Sequence, residues 1–161
     1  MFLRVTVVLV VAATLASSAG ARSERSLTIK LKSVQTGARA VDKAPKQMAA
    51  GKFSPGDILV IRDNLFNRVA QLGRPAGVKV GADRSILTFV SGTAANLVGS
   101  ASLPGGVVHF KGRVDQGATG ILSMRITGGS GRFAGARGTV TEPASDSDPK
   151  NATNTYRLVL P

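Results

Sequence analysis

A few side chains in this sequence are placed to move a proton or hold a polar group inside a small apolar fold. Asp63 lies in the run Asp57 to Phe66 (DILVIRDNLF) and shares a strand face with Leu59 and Ile61. A carboxyl on an apolar face resists ionisation, so its pKa rises toward the range of a working acid or base. The plainer role is a strand end turned to solvent, or a cap on the turn at Asn64. Arg137 follows a glycine-rich turn and is a candidate partner for Asp63 in a buried ion pair. Tyr156 is the sole tyrosine, able to orient a ligand through its hydroxyl or to pack in the core. Leu59 and Ile61 supply apolar contact surface to the same ligand. His109 is the sole histidine and shares a face with Val107, Lys111 and Arg113, which reads as a wet face. Ser123 and Arg125 share a face of the strand before the glycine turn. One histidine and no cysteine give no spacing suited to a metal, so no metal site is expected.

These residues must be positioned by strands. Ser26 to Val34 alternates, with Leu27, Ile29 and Leu31 on one face and Thr28, Lys30 and Lys32 on the other. Residues 35–55 are polar, basic and rich in Ala, Gly and Pro, and read as a long connection with a helical turn at Lys46 to Ala50. Pro55-Gly56 is a turn before the Asp63 strand. Residues 67–76 read as a loop, followed by strand-like runs at 77–82, 85–91, 94–102, 106–114, 119–127, 136–142 and 154–160. About eight or nine short strands joined by Gly-rich turns predict an antiparallel sandwich or closed barrel. Residues 143–153 read as a solvated loop, and within it Asn151-Ala-Thr153 fits a glycosylation sequon. A last strand that reaches the chain end suits a barrel whose final strand removes the free edge.

The amino terminus sets the expected compartment. Arg4 gives a positive start, Val5 to Ala16 is uncharged and apolar, and Ala19-Gly20-Ala21 offers a small-x-small cleavage site. Residues 1–21 therefore read as a secretory signal peptide, with residues 22–161 as one mature domain in a secreted or extracytoplasmic setting. The apolar stretch is short against the roughly 20 residues a spanning helix needs. A domain of this size holds together by packing alone, without disulfides. The net charge of +12, from 21 Lys+Arg against 9 Asp+Glu, attracts polyanions. Nucleic acid is disfavoured as a partner: with six Phe, one Tyr and no Trp, bases find little to stack on. An anionic cell-envelope polymer fits the charge better.

The stretch Ile126 to Val140, ITGGSGRFAGARGTV, is a strand, a tight glycine turn and a second strand, with Phe133 as a core plug. Its Gly-Gly-Ser-Gly lacks the Lys-Ser/Thr ending and the helix of a phosphate loop. This stretch resembles the GGxGxFxGAxG signature of the allene oxide cyclase barrel and its dirigent relatives. PGDILVIRDNLF (55–66) resembles their GD-led strand, and LGRPAGVKVG (72–81) the glycine strand that follows. The resemblance covers about residues 26–160. It implies a single eight-stranded antiparallel β-barrel with an apolar cavity, often a homotrimer, that cyclises a reactive intermediate or steers a coupling without metal or nucleotide. Plant allene oxide cyclases carry a glutamate near the end of the first strand, where this chain has no acidic residue between Arg25 and Asp42. The proline and asparagine of their GD strand correspond to Val60 and Asp63, and an aspartate on this strand is the dirigent pattern.

Two functional readings follow. In one, an exported barrel holds a hydrophobic small molecule, with or without isomerase-type chemistry or dirigent-type steering. In the other, the barrel is packed solid and its basic surface binds anionic envelope polymers without catalysis. The interior separates them: the first expects a cavity of several hundred Å3 with Asp63 on its wall.

Overall fold

The computed structural model describes residues 23–44, 46, 48–50, 52–115, 121–143 and 151–161. The expected signal peptide at 1–21 lies outside the described residues.

Alternating side chains and short turns produce eight strands: β1 (Arg25–Val41), β2 (Ile58–Asn67), β3 (Lys79–Phe89), β4 (Ala94–Leu103), β5 (Gly106–Asp115), β6 (Ile121–Gly129), β7 (Arg137–Pro143) and β8 (Asn151–Leu160). Each pairs antiparallel with its sequence neighbour, and β8 returns to pair with β1, closing a barrel. Closure leaves no open edge. One residue in two faces inward. On β1 the inward set is Ile29, Leu31 and Ser33, and Lys30 and Lys32 face solvent.

Three strands depart most from their expected bounds. β1 continues to Val41, where a connection is expected from residue 35. A bulge between Gln35 and Gly37 shifts its register against β2, and Thr36 Oγ1 donates to the Arg62 carbonyl at 3.0 Å. Residues 36–40 are exposed, so no apolar alternation marks this part of the strand. β3 is one continuous strand rather than runs at 77–82 and 85–91. Gly81 carries it past β4: a Cβ there would overlap the Ser102 carbonyl. The sequon also moves, because Asn151 is the first residue of β8 and pairs with Val34 rather than sitting in a loop.

One end of the barrel is filled. Phe133, on a 3-10 turn at Gly131–Phe133, is fully buried with Ile29, Leu31, Leu65, Val108 and Leu158. It is the plug expected of the glycine hairpin. At the other end, the chain between β1 and β2 includes a 3-10 turn at Met48–Ala50. Asp57 is wholly buried and accepts from the backbone N–H groups of Lys43 and Ser54, both at 2.7 Å. Phe53 stacks on Phe89 with ring centroids 3.9 Å apart. These contacts pin the connection to the end of β3.

Candidate functional site

Inside the barrel, on the far side of its core from the plug, lies a cavity of about 180 Å3. It is smaller than the several hundred Å3 expected, and comparable to cavities that hold a single benzene-sized ring. Its deep wall is Tyr156, Phe110, Met124 and Val140, all buried. Its half-buried outer wall includes Gln35, Ile61, Leu122, Glu142 and Ala152.

The cavity has two sides. Polar groups come from five consecutive strands: Glu142 on β7, Asn154 and Tyr156 on β8, Ser33 and Gln35 on β1, Asp63 on β2, and Asp83 and Ser85 on β3. Facing them are Leu97, Phe110, Val114, Leu122 and Met124 from β4, β5 and β6. Gly99 on β4 makes room for the Phe110 ring, which a Cβ there would overlap. Phe110 in turn meets Tyr156 edge to face, with centroids 6.2 Å apart. β7 contributes Val140 and Glu142.

Asp63 and Asp83 are register partners across β2 and β3. Side chains directly opposite in such a ladder start from Cβ atoms about 4.5–5.5 Å apart. Asp83 is 7% exposed. Its pKa is pushed up to about 8 by burial first, then by the charge of Asp63, a hydrogen bond to Asp63 and the charge of Glu142. Burial also raises Asp63, against a hydrogen bond from Asp83 that lowers it. Near neutral pH the pair therefore holds one proton, on Asp83, which donates to an ionised Asp63. A neutral acid and a carboxylate thus face one cavity, the separation of roles that acid–base catalysis requires.

Other polar atoms in the wall have no protein partner. Asn154 Nδ2 donates to Ser33 Oγ at 2.7 Å. Asn154 Oδ1, Tyr156 OH, Asp63 Oδ1 and Asp83 Oδ1 are buried without a hydrogen bond. Buried polar groups are rarely left so, and each marks a point where a ligand can be held. Burial together with the carboxyls of Asp83, Glu142 and Asp63 raises Tyr156 well above the usual phenol range, so it stays a neutral donor.

The expected site residues divide. Asp63, Ile61 and Tyr156 line the cavity. Leu59 faces Leu87 across the ladder one step further out and does not line it. Arg137 takes the outward phase of β7, opposite to Val140 and Glu142, and pairs with Glu24 at the surface, so no Arg137–Asp63 pair forms. His109 is exposed, as its wet face predicts, and Ser123 and Arg125 also face out. Asp83, Glu142, Asn154 and Ser33 are not anticipated by the sequence. Asp83 falls in a break expected between strand runs. Read as one strand, 79–89 places Asp83, Ser85, Leu87 and Phe89 on one face, and that alternation is the available signal.

Residues 27–160 match the dirigent-like protein family. Among solved structures, a pterocarpan synthase dirigent protein, PsPTS1, superposes with a TM-score of 0.60 at 21% identity, covering 86% of this chain and 96% of that one. The Diels-Alderase AbmU from Streptomyces koyangensis gives 0.62 at 17% identity, covering 88% and 70%. A pyocyanin demethylase gives 0.61 at 18%, covering 81% and 99%. No curated protein matches the chain.

Proposed function

The chain belongs to the dirigent-like protein family, and we propose from that premise that its barrel holds a small, largely apolar molecule and steers its cyclisation or coupling. The observation that carries this reading is the Asp63–Asp83 pair on the wall of a cavity otherwise rich in aliphatic and aromatic side chains. Its similarity in fold to a pterocarpan synthase dirigent protein and a Diels-Alderase supports the same class of work.

The pair suggests how. A substrate with a donor group X–H and an electron-poor double bond conjugated to a carbonyl sits with X–H on Asp63 and the carbonyl oxygen on Asp83. Asp63 takes the proton as the X–C bond forms. The displaced π electrons move to the oxygen, which receives the Asp83 proton. Passing the new proton from Asp63 to Asp83 restores the pair. The net change is an isomerisation, and no external oxidant or reductant enters. The cavity's contribution is to hold one folded conformer, which removes the entropy of finding it. The work is extracytoplasmic in this reading, after cleavage near Ala21, and a homotrimer is the proposed assembly. The outward row Val60, Ile86 and Val98, successive register partners on β2, β3 and β4, is an apolar strip of outer wall that such an assembly could cover.

The test is thermal melting and native mass spectrometry with one- and two-ring phenolic, enone and fatty-acid-derived probes. Saturable binding that Asp63→Asn and Asp83→Asn alter supports the reading. No saturable binding by any hydrophobic class sinks it.

A second reading is favoured by the outer surface. Arg62 stands directly opposite Arg84, and Lys111 directly opposite Arg125. Like charges in register cost stability unless an anion bridges them. Binding of an anionic envelope polymer at these pairs predicts retention on heparin that falls steeply with salt. Salt-independent retention rejects it.

A further inference from the structure

Charge is sorted by face in this barrel. On β2 the order is Arg62 then Asp63, and on β3 it is Asp83 then Arg84. The antiparallel register puts both aspartates inside and both arginines outside. A chain of net charge +12 therefore carries a cavity that no Lys, Arg or His lines among the described residues. Three carboxyl side chains line it instead, Asp63, Asp83 and Glu142. From this sorting we propose that the ligand is a monocation: an apolar body of one ring bearing a protonated nitrogen, which sits on Asp63, while carboxylates are rejected. The inference rests on the proposed role of the barrel as a small-molecule holder, and it names the class of molecule.

The geometry supports each part. With one proton on the pair, Asp63 keeps a full negative charge, and its Oδ1 is buried without a partner. An N–H donor of a cation satisfies that oxygen and cancels that charge. A charge-assisted bond of this kind is about twice as strong as a neutral one. The facing wall of Leu97, Phe110 and Met124 takes the apolar body. A carboxylate in the same place brings a like charge into a partly desolvated site with no cation to meet it. In the proposed reaction Asp63 first takes one proton from this cation, which frees the nitrogen lone pair to form the new bond, and the product leaves as the protonated amine.

Binding is coupled to protons. The titratable groups facing the site are Asp63 from β2, Asp83 from β3, Glu142 from β7 and Tyr156 from β8; β1, β4, β5 and β6 bring none among the described lining residues. Asp83 is the one held near neutrality. A cation beside the pair favours its ionised form, so binding releases protons below about pH 8 and tightens as pH rises toward that value.

The experiment is calorimetric titration of the mature protein with three single-ring probes of one shape: benzylamine, benzyl alcohol and benzoate. It is run at several pH values from about 6 to 9, in buffers of different ionisation enthalpy. The amine is expected to bind about tenfold more tightly than the alcohol, and the carboxylate at least about tenfold more weakly than the alcohol. Amine affinity is expected to rise with pH with proton release, and alcohol affinity to show no such rise. Asp63→Asn is expected to erase the amine preference while alcohol binding persists. Asp83→Asn is expected to keep the preference and lose the proton release. Equal binding of amine and alcohol, or tighter binding of the carboxylate, overturns the inference and leaves the holder reading intact. Saturable binding of none of the three overturns both.

Discussion

Asp63 faces Asp83 across adjacent strands inside the barrel, so that two groups of like charge share one wall and, near neutral pH, one proton. A solvated surface pair has no need to share. Here burial makes double ionisation costly, and the nearby Glu142 carboxyl adds to that cost.

The cost has a sign that stability measurements can read. Asp83 has an ordinary pKa of 3.8 when exposed and about 8 in the fold, so the folded protein binds its proton more tightly than the unfolded chain. Its contribution is fully present below about pH 4 and is lost progressively as pH rises through about 8. Denaturant melts of the wild type should show this loss, on the order of 2 kcal/mol or more. Asp83→Asn should flatten the dependence and be the more stable protein at pH 9. A wild-type profile as flat as the variant's contradicts the shared proton.

Tyr156→Phe removes a buried hydroxyl that has no protein partner. Deleting an unsatisfied polar group should raise stability by about 1 kcal/mol in urea. The same change should weaken a ligand that accepts a hydrogen bond from the phenol. Loss of stability would mean that the hydroxyl is satisfied within the fold.

Gly99→Ala places a methyl against the Phe110 ring, which lines the cavity. The ring must move, at a cost of about 1–3 kcal/mol. Thermal melting should show the lower stability, together with a smaller ligand-induced shift than in the wild type. An undiminished ligand shift would show that Phe110 yields away from the cavity.

Export predicts a mature amino terminus at Arg22. Expression of the whole chain in a Sec-competent bacterium, followed by intact mass measurement of the extracytoplasmic fraction, checks it. Protein retained in the cytoplasm with Met1 intact rejects the reading.

Much of the barrel was legible because its strands alternate. Leu27, Ile29 and Leu31 mark β1, and the glycine turn around Phe133 marks the β6–β7 hairpin and its plug. The far half of β1 was not legible, since residues 36–40 gain pairing with β2 without gaining burial. Asp63 is legible because it shares a face with Ile61. Asp83 is not, because Gly81, Asp83 and Arg84 look like punctuation, while the register that makes them a strand is set by β2 and β4. The outward placement of Arg137 is hidden for a related reason: strand phase decides inside from outside, and the phase of β7 is fixed by Val140 and Glu142 rather than by the glycine turn before it.

The pairing of β8 with β1 reaches beyond edge protection. Arg25 is the register partner of Leu160, so the two ends of the described domain meet beside the Phe133 plug, where Pro161 also lies against Gly135. Whatever is attached at either terminus therefore hangs from the sealed end of the barrel. The opposite rim, where Gln35, Leu122 and Ala152 border the cavity, carries neither terminus. Joining the old ends and cutting the chain elsewhere should yield a permuted barrel of the same shape, which makes the sealed end a handle that leaves the cavity wall untouched.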